Sequence, residues 1–233
     1  MRKKGLVLAL CALMLTGCGG PAVEADGTAA LTEEVKYVAL TFDDGPRRGT
    51  TDVLLDGLKE RGAAATFFLI GESISGKEDL VERMATEGHQ VGNHTWTHLR
   101  LETESAAVIQ EELSRTDAAI GAILGGSSYW VRVPYGLLSQ GSEGLIQVPM
   151  VKWSVDPRDW ESRNKEKIVS AVLEAVEPGS IILLHDIYTP SVEAALEIVD
   201  KLQAEGYWFV TVEELLELYG IEAQPGVMYR KAQ

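Results

Sequence analysis

Between residues 37 and 219 short apolar runs alternate with amphipathic stretches, and this alternation is what most restricts the folds open to the chain. Strands are expected at 37–42, 64–70, 90–94, 129–134, 150–155, 180–185 and 208–211. The amphipathic stretches fall at 50–61, 78–87, 103–124, 165–176, 191–205 and 212–219. Gly88 and Gly206 stand where two of these helices should stop, the position at which a left-handed residue closes a helix. Strand–helix alternation of this kind predicts an α/β fold with a mostly parallel sheet. About seven repeats without a dinucleotide-binding glycine fingerprint favour a distorted (β/α) barrel over an open sheet. In either form, functional residues gather at the C-terminal ends of the strands.

The chain ends set the boundaries of the folded unit. Arg2, Lys3 and Lys4 precede the apolar run Gly5–Leu15, which is too short to span a membrane. It closes on "LTGC", Leu15 to Cys18, a pattern that resembles a bacterial lipoprotein signal in which Cys18 is lipidated and becomes the N-terminus. An ordinary cleaved secretory signal is the alternative, and both export the protein. Residues 1–17 are therefore expected to be a signal peptide, 18–34 a flexible acidic tether, 35–218 the folded domain and 219–233 a tail without a readable signal. Cys11 and Cys18 are the only cysteines, so the domain holds neither a disulfide nor a cysteine-ligated metal. The formal charge is −14, and without the three cations of the signal it is −17. Such a surface argues against nucleic acid and anionic lipid as partners. The membrane is expected to be reached only through the lipid anchor, with the domain a monomer on the extracytoplasmic side.

Polar residues cluster where the strands end. Asp43 and Asp44 follow the first, His94 and His98 the third, Arg132 and Tyr135 the fourth, Asp156 and Asp159 the fifth, and His185 and Asp186 the sixth. In "HTWTH" the histidines lie four apart, a spacing that on a helix puts both imidazoles on one face, within reach of one metal ion. Surface histidines without a ligand role share that spacing. A carboxylate from a neighbouring strand end completes a three-ligand catalytic set with a position open to water. That requirement explains two adjacent aspartates: one ligates, and the other takes the proton of an activated water. Gly45-Pro46 would end the strand and let both side chains turn inward.

In order along the chain, "TFDDGP", "HTWTH", "RVPY", "DPRDW" and "LLHD" resemble the five motifs of the polysaccharide deacetylases, carbohydrate esterase family four, the NodB-like domain. The resemblance implies a distorted barrel and divalent-metal-dependent removal of acetyl groups from N-acetylated glycans or acetylated xylan. It implies that Asp43 is the base, that Asp44, His94 and His98 hold the metal, and that Arg132 orients Asp43. It further implies that the Tyr135 backbone N–H binds the oxyanion, that Asp159 tunes the acid His185, and that Trp160 and Leu183 line the acetyl-sugar pocket. Val133 stands where many relatives have proline, without touching Arg132 or Tyr135. The ion is expected to be zinc, with cobalt or another divalent ion as alternatives.

Other residues have bland readings: His89 as structural, Trp96 and Trp153 as groove or core, Asp156 and Asp186 as supporting or turn residues. An iron oxygenase also uses two histidines and a carboxylate, but leaves Asp43 and His185 unexplained. A glycan-binding lipoprotein without activity would be expected to have lost the base or the acid, and both are present. An exported, tethered domain points to N-acetylglucosamine units of peptidoglycan, with chitin-like oligomers or acetylated xylan as the alternatives.

Overall fold

The computed structural model describes residues 35–139 and 141–233; the segments 1–17 and 18–34 expected to be signal and tether, with Cys18, lie outside the described residues. The elements run β1 (Lys36–Asp43), α1 (Thr51–Arg61), β2 (Thr66–Leu69), α2 (Glu78–Thr86), β3 (Gln90–Asn93), α3 (Ala106–Leu124) and β4 (Met150–Val151). They continue with α4 (Asp159–Ser162), α5 (Lys165–Ala175), β5 (Ile181–His185), α6 (Thr189–Ala204), β6 (Tyr207–Val210), α7 (Val212–Leu218) and β7 (Met228–Tyr229). Every ladder between these strands is parallel.

The strands close into an irregular ring. β1 pairs with β2 and β5, and β2 pairs with β3. Beyond β3 the ring is carried by single-residue bridges: Asn93 to Val131, Val131 to Met150, and Val155 to Ile182 of β5. That is a distorted barrel, well laddered on one side and stitched on the other.

The stitched side departs from the sequence expectation. Residues 129–134 form no strand, and only the first two residues of 150–155 do. The cause is Arg132, whose guanidinium donates to the carbonyls of Lys152 (3.0 Å) and Val151 (3.4 Å). Carbonyls that would extend the β4 ladder serve a buried cation instead.

Residues 219–233, read from the sequence as a tail outside the domain, pack into it. β7 pairs with β4, the Ala232 N–H donates to the Gly179 carbonyl at 2.9 Å, and Lys231 pairs with Glu177 at 2.7 Å. A two-residue strand is too short to show a period, so the sequence could not announce it.

The main core lies between the ring and the helices around it, with Phe42, Leu54, Leu58, Phe67, Ile182 and Ile198 fully or almost fully buried. Each such side chain contributes roughly 1.5–3 kcal/mol relative to exposure. Helix ends follow local chemistry. Ser105 caps α3 through the Val108 N–H, and Asn164 caps α5 through the Lys167 N–H. Thr211 and Glu214 form a reciprocal capping box on α7. This frame holds the C-terminal ends of β1, β3 and β5 at one mouth.

Candidate active site

Asp43 is the last residue of β1 and is almost completely buried. Neighbouring strand residues normally point to opposite faces. Asp44, however, has φ 74°, in the left-handed region that aspartate tolerates better than most residues. The turn brings both carboxylates to one side, so that His94 Nε2 lies 3.6 Å from Asp43 Oδ2 and 3.6 Å from Asp44 Oδ1. Gly45 is required beside them, because a Cβ there would meet the Asp186 carboxylate at 2.5 Å.

The histidines reach the same point by a different route from the helix their spacing suggested. Residues 94–98 form an irregular loop with Thr95 at φ 68° and His98 at φ 60°. Asn93 accepts the Thr95 N–H at 2.8 Å, while Glu112 accepts the N–H groups of Trp96 and Thr97 at 3.0 and 2.8 Å. Those bonds replace a helical ladder and fix the loop from α3. His94 Nδ1 lies 2.6 Å from the Arg132 carbonyl. That carbonyl can only accept, so Nδ1 carries the proton and Nε2 presents its lone pair.

Asp44 Oδ1, His94 Nε2 and His98 Nε2 all lie within 4.8 Å of one another. Asp44 Oδ1 is buried and has no hydrogen-bond partner, a costly state for a carboxylate oxygen unless a cation faces it. Two imidazole nitrogens and one carboxylate oxygen, open on one side to a pocket, fit a divalent ion with room for water.

Around this set stand two further ion pairs. Arg132, fully buried, donates Nη1 to Asp43 Oδ1 and to Thr41 Oγ1, both at 2.8 Å, and lies 4.3 Å over the Phe68 ring. Burial pushes the Asp43 carboxyl up, but the nearby Arg132, His94 and His185 outweigh it and hold the group below the usual carboxylate range. Asp159, also fully buried, accepts His185 Nδ1 and the His185 backbone N–H at 2.8 Å each, and the Ser191 hydroxyl at 2.6 Å. Burial lowers the His185 pKa, but the Asp159 bond and charge, with Asp43 and Asp44 nearby, raise it to about 9.

These groups line one cleft of ≈ 340 Å³ with Tyr135, Trp153, Asp156, Trp160 and Leu183. Tyr135 has φ 59°, and its ring meets the His98 edge at 4.8 Å. Every residue singled out from the motifs is therefore at this mouth, Arg132 and Asp159 standing directly behind it. Trp153 is a groove residue; Trp96 packs under Arg115 instead. His89 lies elsewhere, accepting the Ala65 N–H through Nδ1, with burial lowering its pKa to about 4. Asp186 is buried and accepts the Thr51 hydroxyl; burial, then the Asp44 charge, raise its pKa to about 7.

Sequence reasoning missed Thr41, Glu112 and Ser191. Glu112 had a visible signal, being a charged residue in the buried stripe Ile109, Leu113, Thr116 and Ile120 of α3.

Three strand-end donors spaced to fit a metal ion, flanked by an Arg–Asp and an Asp–His pair, suit hydrolytic chemistry. The polysaccharide deacetylase family model matches residues 30–147, and the chain belongs to that family. It is 40% identical over 183 residues to the peptidoglycan-N-acetylmuramic acid deacetylase PdaC of Bacillus subtilis, covering 78% of this chain and 39% of that one. It is 38% identical over 194 residues to the peptidoglycan-N-acetylglucosamine deacetylase PgdA of Listeria monocytogenes, covering 83% of this chain and 41% of that one. The chain thus spans about two fifths of the length of these relatives. A family 4 acetyl xylan esterase from Clostridium thermocellum, solved in complex with a cobalt ion, superposes with TM-score 0.80 at 33% identity, over 84% of this chain and 98% of that one.

Proposed function

We propose that this chain is a metal-dependent N-deacetylase of N-acetylglucosamine units in cell-wall glycan. The observation that carries the reading is the convergence in one cleft of Asp44, His94 and His98 with the Arg132-paired Asp43 and the Asp159-bonded His185. Asp44, His94 and His98 would hold the ion. Zinc is the ion proposed, and cobalt suits the same donors. When bound, it supplies a Lewis acid that lowers the pKa of water toward about 7.

The chain's own groups perform the remaining steps. Asp43, fixed by Arg132 and kept ionised, takes the proton from the attacking water through Oδ2. The Tyr135 backbone N–H donates to the oxygen of the acetyl carbonyl as negative charge develops there. His185 gives its Nε2 proton to the departing sugar nitrogen, and Asp159 holds the opposite ring nitrogen and stabilises the cation. One C–N bond breaks, one C–O bond forms, and the products are acetate and an amine. Trp160 and Leu183 pack against the acetylated sugar.

Cys18 is proposed to carry lipid and hold the domain at the outer face of the membrane. No helix among the described residues is long and apolar enough to cross a membrane. Two of the three relatives above, PdaC and PgdA, are named for peptidoglycan, which supports the wall, and the third is named for acetyl xylan. The test is acetate release from purified wall glycan, N-acetylated chitin oligomers and acetylated xylan, with and without chelator. Chelator-sensitive release from wall glycan is expected. Release from chitin oligomers alone would replace the substrate, and no release from any would overturn the activity.

A further inference from the structure

A second cleft, of ≈ 460 Å³, opens beyond the ridge formed by Asp44 and His98. Its size falls in the range of small-ligand pockets, roughly 300–1,000 Å³. It shares Asp44 and His98 with the catalytic cleft, so a linear glycan acted on in one runs naturally into the other. Its wall carries two cations, Arg47 and Lys77, on a chain with 21 basic and 35 acidic side chains.

Those cations are held in place without a direct salt bridge, although Lys77 lies close enough to Glu78 to add to the backbone N–H bonds that lower its carboxyl pKa. Arg47 donates Nη1 to the Ile187 carbonyl at 2.9 Å, and Lys77 donates Nζ to the Ser73 carbonyl at 2.6 Å. Neither enters an ion pair among the described residues, whereas Arg48, the neighbour of Arg47, is paired with Asp79. Each retains further N–H groups to donate. Asp44 belongs to the metal set, so Glu72 is the remaining acid of this wall, and it pairs with neither cation.

Resting on the deacetylase reading above, we infer that this second cleft receives a carboxylate borne by the sugar adjoining the acetylated unit, with Arg47 and Lys77 as its recognition residues. A neutral homopolymer of N-acetylglucosamine has no such group. Peptidoglycan places one on every second sugar where the lactyl group is free; where a peptide stem is amide-linked to that group, the nearest carboxylates lie further out on the stem. Arg47 and Lys77 thus confer preference for the wall polymer. Because they act away from the reacting carbonyl, the preference appears in KM more than in kcat.

The experiment compares kcat/KM of the metal-loaded full chain on three glycans of equal length: a neutral chitotetraose, a peptide-free wall tetrasaccharide and the same tetrasaccharide with stems. Arg47→Gln together with Lys77→Gln should raise KM on the charged glycans at least about tenfold, the lower end of what one charge-assisted hydrogen bond contributes. Its effect on chitotetraose should stay below about twofold. Added salt should slow the wild type on charged glycans and spare the double variant. Loss on the peptide-free glycan identifies the lactyl group, and loss only on the stemmed glycan identifies the peptide. Equal losses on charged and neutral glycans, or none on either, would overturn the inference. Affinities of metal-loaded Asp43→Asn, with and without the double change, are read in parallel. If no glycan is deacetylated but the charged one still binds more tightly through Arg47 and Lys77, the activity fails and the recognition stands.

Discussion

The cleft contains two arrangements of aspartate and histidine, and they are built in opposite ways. His185 and Asp159 meet directly at 2.8 Å, and Asp159 receives two further hydrogen bonds. Asp44 and its histidines stand apart, with nitrogens 3.5 and 3.6 Å from Oδ1 and that oxygen without a hydrogen-bond partner. The first pair satisfies itself and keeps a proton on the imidazole. The second set is spaced for a cation between its members. The same two residue types are therefore arranged as a bonded pair in one place and as a spaced set of donors in the other, and the difference lies in backbone geometry. His185 ends a regular strand, whereas Asp44 and His98 both occupy left-handed conformations at φ 74° and 60°.

The largest effect should come from breaking the spaced set. Asp44→Ala is expected to abolish both stoichiometric metal binding and acetate release, with a loss exceeding that of any change below. Asp159→Ala should leave metal content intact. Equal metal retention in the two variants, measured by elemental analysis after gel filtration, would erase the proposed distinction between the two arrangements.

The contrast also marks what sequence could and could not reveal. On the laddered side of the ring, β1, β2 and β5 were legible as runs of mostly buried apolar residues, and β3, QVGN, through the helix stop at Gly88 before it and the histidine motif after it. The stitched side was not. Its shape follows from one buried guanidinium taking the carbonyls of residues 151 and 152, a tertiary event with no local period. The residues at the mouth were legible as motifs, but the route by which they meet was not. The spacing of His94 and His98 suggested a helix, and the loop that replaces it depends on Asn93 and on Glu112, sixteen residues from Trp96. The segment 219–233 joined the fold through β7, whose ladder partners in β4 lie far away in sequence.

A slightly smaller loss should follow from Asp43→Asn. The isosteric amide keeps the shape of the strand end and leaves Asp44, His94 and His98 in place. Metal affinity should therefore persist while turnover falls about 10²–10⁴-fold. A competitive titration against a chromophoric chelator, alongside initial rates, separates the two quantities. Metal loss as severe as in Asp44→Ala would mean that Asp43 is itself a ligand.

The self-satisfied pair makes a prediction in pH. His185 must be protonated to act as the acid, and its pKa is raised to about 9. Activity should therefore hold through neutral pH and decline as pH rises through that value. Asp159→Asn removes the anion that supports the imidazolium, so the alkaline limb should move to lower pH and the rate fall roughly 10–100-fold, the range seen when a supporting partner is lost. Stability has the same sign. A histidine whose folded pKa exceeds its ordinary 6.5 stabilises the fold fully below that value, and the contribution is lost as pH rises through about 9. The Tm difference between wild type and Asp159→Asn should be greatest near the lower pH and shrink toward the upper. An alkaline limb that stays in place in the variant would remove His185 from the acid role.

The smallest effect is expected at Tyr135, and its smallness is the informative part. The proposed work of this residue is done by its backbone N–H, in a left-handed turn at φ 59°. The residue is 52% exposed and touches the site through its ring, whose centre lies 4.8 Å from that of His98 and 4.9 Å from the Arg100 guanidinium. Tyr135→Phe keeps the ring, the turn and the N–H and deletes only the hydroxyl. Rates on amide substrates should change by less than about twofold, since surface substitutions without a buried partner generally lie within roughly 0.5 kcal/mol. Tyr135→Gly, which keeps the N–H but loses the ring, should cost more through His98, and the cost should appear as weaker metal retention. If the Phe variant loses activity by more than about tenfold with metal content unchanged, the hydroxyl itself contacts the reacting group. The oxyanion would then be stabilised by a side chain, and the assignment to the backbone N–H would fall.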